Sequence, residues 1–178
     1  LQGLDLVNYE SSELFRGWRQ NNSLSVLNLK RCSLVSIDVS LLPLSITELN
    51  LSSNKIISAE NIFVDLEKNL PRLRSLDLRG NKFYSFAPLE KYLRETFTLC
   101  SLRMFTNSSF QIELLLKLLK TDIFEENHTL RECDIISRNI NRADLATCGI
   151  SFEERDNLFA KIRDLMKRNK STSGSKTK

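Results

Sequence analysis

The spacing Leu-x-x-Leu-x-Leu, with conservative replacements, recurs six times along this chain and leaves few folds open to it. Leu1, Leu4 and Leu6 lead to Tyr9; Leu24, Leu27 and Leu29 lead to Cys32 and Leu34; Ile46, Leu49 and Leu51 lead to Asn54 and Ile56. Leu73, Leu76 and Leu78 lead to Asn81 and Phe83, and Leu99, Leu102 and Met104 lead to Asn107 and Phe110. Leu130, Cys133 and Ile135 close the series, with Arg138 and Asn139 where an asparagine is expected. Apolar residues at the first, fourth and sixth places of such a frame point inward from a short strand and its turn, while those between them point outward. A unit that returns every roughly 20 to 30 residues cannot bury its apolar side alone, so successive units stack and share one continuous core.

The small polar residue after each strand has a structural task. An asparagine amide both donates and accepts, so it can satisfy the backbone of a tight turn where an unpaired buried group would be costly. Asn54, Asn81 and Asn107 are therefore expected to form a ladder, with Cys32 as a small substitute carrying a weak donor. The copies ITELNLSSNKI and LRSLDLRGNKF carry the pattern most fully. On these residues the chain resembles the leucine-rich repeat family over about residues 1–140, and at Cys32 it resembles the intracellular ribonuclease-inhibitor type. The resemblance implies an α/β fold: a leucine-rich repeat solenoid with a curved parallel sheet of about six short strands on its concave side, a mostly helical convex side and a C-terminal capping helix. It also implies protein recognition, as adaptor, scaffold or regulatory subunit. Short and longer repeats are mixed, and the frame does not select a subfamily.

The segments between the frames are unequal and mostly helical in pattern. SSELFRGWRQNN, AENIFVDLEKNL, APLEKYLRETF and FQIELLLKLLKTDIFEEN carry apolar residues three and four apart, which gives a helix one face for a core. Pro88 suits a helix start, and SLVSIDVSLLPLS reads as shorter and more extended. Leu14 and Trp18, four apart, are expected to share a helical face and pack inward. At the end of the chain, SFEERDNLFAKIRDLMKRN opens with Ser151 and Glu154 in capping-box register and places Phe152, Leu158, Phe159, Ile162, Leu165 and Met166 on one stripe. Such a helix would cover the free edge of the last strand. The expected organisation is thus a repeat array over residues 1–140, a cap over 141–169 and a disordered tail over 170–178, in a chain that reads as a fragment.

Composition narrows the function classes. At 178 residues and 41% hydrophobic, the chain can build one core without disulfide or metal staples. No stretch approaches the roughly 20 apolar residues of a membrane span. Cys32, Cys100, Cys133 and Cys148 are too dispersed for a CxxC pair, which favours a reducing, intracellular setting, cytoplasmic before nuclear and secreted last. Asn-x-Ser/Thr triplets begin at Asn21, Asn50, Asn107, Asn127 and Asn169, and are read as chance in a chain rich in Asn and Ser. The one histidine, His128, falls in the polar stretch ENHTL, the glycines never cluster, and no ligand spacing suits a metal. No cofactor and no enzymatic activity are expected. The net charge of +4 owes much to Lys167, Arg168, Lys170, Lys176 and Lys178 near the end, which reads as a solvated tail.

Function is therefore expected on the strand face, where outward residues of successive strands line up about 4.8 Å apart. One row reads Asp5, Asn28, Asn50, Asp77, Arg103, Asp134; the next reads Val7, Lys30, Ser52, Arg79, Phe105, Ile136; a third reads Gly3, Val26, Glu48, Ser75, Ser101, Glu132. Arg103 between Asp77 and Asp134 allows a lateral surface ion pair worth at most about 1 kcal/mol. Phe105 beside Ile136, flanked by Arg79 and Arg103, has the composition of an interface centre. Arg79, Arg103 and Phe105, with Lys30, Asp77, Asp134 and Ile136 around them, are the candidate partner-binding residues. The expected function is a non-enzymatic protein-interaction module within a larger complex. Regulation of a GTPase or phosphatase, and RNA contacts in an RNA-processing or export adaptor, are the alternatives.

Overall fold

The computed structural model describes residues 1–6, 9–58, 60–64, 66–83, 87–104, 127–134, 145–146 and 149–173. Among them, five short strands form one parallel sheet in sequence order: β1 (Val26–Asn28), β2 (Glu48–Asn50), β3 (Ser75–Asp77), β4 (Ser101–Arg103) and β5 (Glu132–Asp134). The pairing is in strict register, with Leu27, Leu49, Leu76, Leu102 and Cys133 as one row of partners. The first four of these point inward and are buried, together with Leu29, Leu51, Leu78 and Met104 just beyond the strands. Inward leucines two apart, outward polar residues between them, and one unit beside the next are what the frame demands.

Five strands stand where about six were expected, because the first frame is seated differently. Gly3 N donates to Lys30 O and Leu6 N to Cys32 O, as Arg31 N donates to Ser52 O in the next copy. Leu1 O accepts from Cys32 Sγ, the role that Leu29 O plays toward Asn54. Leu1, Leu4 and Leu6 thus correspond to Leu29, Cys32 and Leu34 and belong to a turn, so the outward-row places assigned to Gly3 and Asp5 do not hold. The backbone agrees: Gly3, Arg31, Ser53 and Gly80 occupy equivalent places, and all four have positive φ.

The asparagine ladder is present at both described positions. Asn54, 5% exposed, accepts from Cys32 N and Leu34 N through Oδ1 and donates to Leu29 O and Leu51 O through Nδ2. Asn81 accepts from Ile56 N and donates to Leu51 O and Leu78 O. Each amide therefore bonds two consecutive turns together. Cys32 performs the donor half of this task, toward Leu1 O and Lys30 O, and Asn107 lies outside the described residues.

The connections carry helices opposite the strands. They comprise α1 (Ser11–Leu14), α2 (Glu60–Phe63), α3 (Leu66–Asn69) and α4 (Ala87–Glu95), with single 3-10 turns at Trp18–Gln20 and Val39–Leu41. Gly17, at φ 79, separates α1 from the first 3-10 turn, so Trp18 meets Phe15 edge-on at 5.2 Å instead of continuing the helix from Leu14. Arg19 on that turn donates from one nitrogen to Leu42 O and to Asn69 O, the latter at the end of α3, and so ties three connections together. The segment FQIELLLKLLKTDIFEEN lies outside the described residues apart from its last position, Asn127.

The last element, α5 (Phe152–Ser173), starts from a reciprocal capping box in which Ser151 N donates to Glu154 Oε2 and Glu154 N to Ser151 Oγ. It buries Leu158, Ile162 and Leu165, and Asn169 donates to Leu130 O. Met166 Sδ accepts from Cys133 N, closing a donor of β5 that no further strand takes up among the described residues. The helix runs through Ser173, past the boundary at 169 drawn from sequence.

Candidate functional site

Three outward rows follow from the register. Val26, Glu48, Ser75, Ser101 and Glu132 form one, and Asn28, Asn50, Asp77, Arg103 and Asp134 the next. Lys30, Ser52 and Arg79 continue each of the first three strands by two residues and form the third. The period of two puts a row member and the residue two places on along the same side, so each can reach the other.

That proximity gives the middle row a structural role. Lys30 N donates to Asn28 Oδ1, Ser52 N to Asn50 Oδ1 and Arg79 N to Asp77 Oδ1, at 3.0, 2.9 and 3.1 Å. Short Asn and Asp side chains that accept from the backbone two residues on begin turns, so this row ends each strand and starts its turn. Asp77 alone of these three is buried, at 7% exposure, where the sequence suggested an open surface residue. The two remaining row members, Arg103 and Asp134, are exposed.

Among the described residues, Arg79 and Asp77 form the charged pair on the face with the most hydrogen bonds. Arg79 Nε donates to both carboxylate oxygens and Nη2 to Oδ2 at 2.7 Å. The carboxylate is nearly covered while the guanidinium side chain stays 41% exposed. Arg79 is held more basic than usual, first by the Asp77 hydrogen bond and, against partial burial, by the charges of Asp77 and Asp134. Asp77 thereby fixes the direction in which Arg79 meets solvent. A planar donor fork held this way suits a carboxylate or phosphate on a partner.

Arg103 is engaged elsewhere than sequence suggested. Its Nη2 donates to Glu132 Oε2 at 3.0 Å, diagonally across β4 and β5, and the facing Asp134 is not its ion-pair partner. Ser101 Oγ donates to the same Glu132 oxygen, and these two bonds, Ser101 first, lower the Glu132 pKa. Both partners are about half exposed, so the pair is worth at most about 1 kcal/mol and can be exchanged for a partner's groups. The Lys30 ammonium makes no ion pair among the described residues.

Of the seven candidate residues, the sheet brings Asp77, Arg79, Arg103 and Asp134 together on β3, β4, β5 and the turn after β3, with Lys30 two turns from Arg79. Phe105 and Ile136 lie outside the described residues. His128 is exposed in the segment before β5. Among the described residues no group of three His, Cys, Asp or Glu side chains is placed to hold a metal ion, and no helix is long and apolar enough to cross a membrane. Compared with known proteins, the chain matches no family model and no curated sequence.

Proposed function

We propose that this chain is a leucine-rich repeat solenoid serving as a non-enzymatic protein-interaction module, an adaptor or scaffold in an intracellular assembly, with the strand face as its docking surface. The fold reading is supported by five parallel strands in chain order, by Leu27, Leu49, Leu76 and Leu102 buried on their inward side, and by Asn54 and Asn81 bridging successive turns. The functional reading rests on one observation: Arg79 is anchored by the buried Asp77 yet remains 41% exposed on a face whose rows are in register. A side chain already fixed loses less rotamer freedom when a partner binds, and arginine is enriched where interfaces concentrate their energy. Arg103 and the exposed Asp134 beside it extend the same polar surface.

The test is quantitative affinity purification with the wild-type chain and the Arg79→Glu and Phe105→Ala variants, each first shown by circular dichroism to keep its fold. Both variants are expected to lose the same partner proteins. An unchanged partner set in both would remove the strand face as the docking surface, and a partner set released by nuclease would favour RNA contacts instead.

A further inference from the structure

The turns that follow the strands make a surface of their own. They stack through backbone bonds: Arg31 N donates to Ser52 O at 3.0 Å, Ser53 N to Arg79 O at 2.7 Å, Lys55 N to Leu34 O at 2.8 Å and Lys82 N to Ile56 O at 2.8 Å. The three turns after β1, β2 and β3, residues 29–35, 51–57 and 78–83, contain Lys30, Arg31, Lys55, Arg79 and Lys82 and no carboxylate at all. Arg31, Lys55 and Lys82 are exposed, and Lys30 and Arg79 half-buried. Among the described residues only Arg79 of these five has an ion-pair partner, Asp77.

Stacked turns bring equivalent residues to about 5 Å, so Lys55 and Lys82 are neighbours and Lys30 and Arg79 flank Ser52. Lys55 and Lys82, this close and without an ion-pair partner among the described residues, repel one another and gain most from an anion laid across them. The same turns expose apolar groups, because Val35 and Ile57, equivalent in the ladder, are 47% and 52% exposed. An occupant therefore needs negative charge and apolar side chains together. A single-stranded nucleic acid would call for exposed rings on which bases stack, and Phe83, the aromatic residue of these turns among the described residues, is buried.

We infer that this turn edge docks an extended polypeptide segment in which carboxylates alternate with apolar side chains. Such a segment in β conformation presents its acids on one side and its apolar groups on the other, matching cations on successive turns with Val35 and Ile57 beside them. The inference goes beyond the strand-face reading, since Arg31, Lys55 and Lys82 lie on the turns and not on the strands.

The experiment is fluorescence anisotropy with the full chain and a labelled synthetic peptide of alternating glutamate and leucine. The peptide should bind, and its affinity should fall severalfold as ionic strength rises from about 0.01 to about 0.15 M. Lys55→Glu with Lys82→Glu should weaken binding about tenfold or more, whereas Arg103→Glu on the strand face should leave it unchanged. If the charge-reversed chain does not fold, Lys55→Gln with Lys82→Gln should still weaken binding. The inference is overturned by absent binding to wild type, by equal affinity in the glutamine pair, by equal affinity for a peptide with serine in place of leucine, or by tighter binding of poly(U) RNA. Because Arg103→Glu changes the strand face alone, and the Lys55 and Lys82 substitutions the turn edge alone, the two surfaces succeed or fail separately.

Discussion

Replacing Asn54 by alanine should destabilise the fold more than the same change at Asn81, and the hydrogen bonds say by how much. Asn54 Oδ1 is the acceptor for two backbone donors, Cys32 N and Leu34 N, at 2.9 and 3.1 Å. Its Nδ2 supplies Leu29 O and Leu51 O, but Leu51 O also accepts from Asn81 and so keeps a donor. The variant orphans two buried N–H groups and one carbonyl. At about 1–3 kcal/mol for each orphaned donor, Asn54→Ala should cost about 2–6 kcal/mol. Asn81 accepts from one described donor, Ile56 N, and Leu51 O retains Asn54 when it is removed, so Asn81→Ala should cost about half as much. Urea unfolding followed by circular dichroism and by the fluorescence of the single Trp18 gives both numbers, provided the two probes coincide. A loss below about 1 kcal/mol at Asn54, or a loss at Asn81 equal to it, would refute the reasoning.

Three further outcomes follow from local geometry. Arg19→Met keeps the apolar stem but removes the donor shared by Leu42 O and Asn69 O, and should lower stability by about 2–3 kcal/mol in the same assay; an unchanged urea midpoint would show the clamp to be inert. Ser53 sits at φ 58, so Ser53→Gly should relieve left-handed strain beyond the extra freedom it gives the unfolded chain, raising stability by roughly 0.5–1 kcal/mol, and a decrease would count against strain at that turn. Burial pushes the Cys133 thiol, on the inward side of a half-buried residue, up to about 12 from 9.0. The folded chain then holds this proton while the unfolded chain releases it, so this contribution to stability is complete below pH 9.0 and is lost as pH rises toward about 12. Unfolding midpoints measured across that interval should fall less steeply in Cys133→Ala than in wild type, and parallel slopes would contradict the account.

Much of the strand pattern was legible because it depends on residue type at fixed spacing. Leu27, Leu49, Leu76 and Leu102 had to point inward together, Asn54 and Asn81 had the right amide for a buried turn, and Ser151 with Glu154 announced the start of α5. The first frame misled for a definable reason. Gaps of three and then two separate Leu24, Leu27 and Leu29, and the same gaps separate Leu29, Cys32 and Leu34, so Leu1, Leu4 and Leu6 fit either half of the unit. Only backbone bonds, such as Leu6 N to Cys32 O, distinguish them. The Asp77 to Arg79 pair is within reach of sequence, being two apart on one side of the chain, although the lateral rows offer Arg103 both Asp77 and Asp134. Lys55 and Lys82 each directly follow a ladder asparagine, so their place on successive turns is legible in the sequence as well.

The amides of Asn54 and Asn81 also limit how this array can be edited. A turn is complete only when the copy after it lends an amide at the right height, so a cut within the turns leaves donors stranded, and a slip of one residue within a strand turns its inward side chains outward. Cys32 and Asn54 are 22 positions apart. Excising residues 32–53 would splice Asn54 directly behind Arg31, in the seat that Cys32 holds, with Leu1 O ready to accept from its amide. The connections vary in length from copy to copy while the rungs do not, so the natural scissors act between one ladder rung and the next.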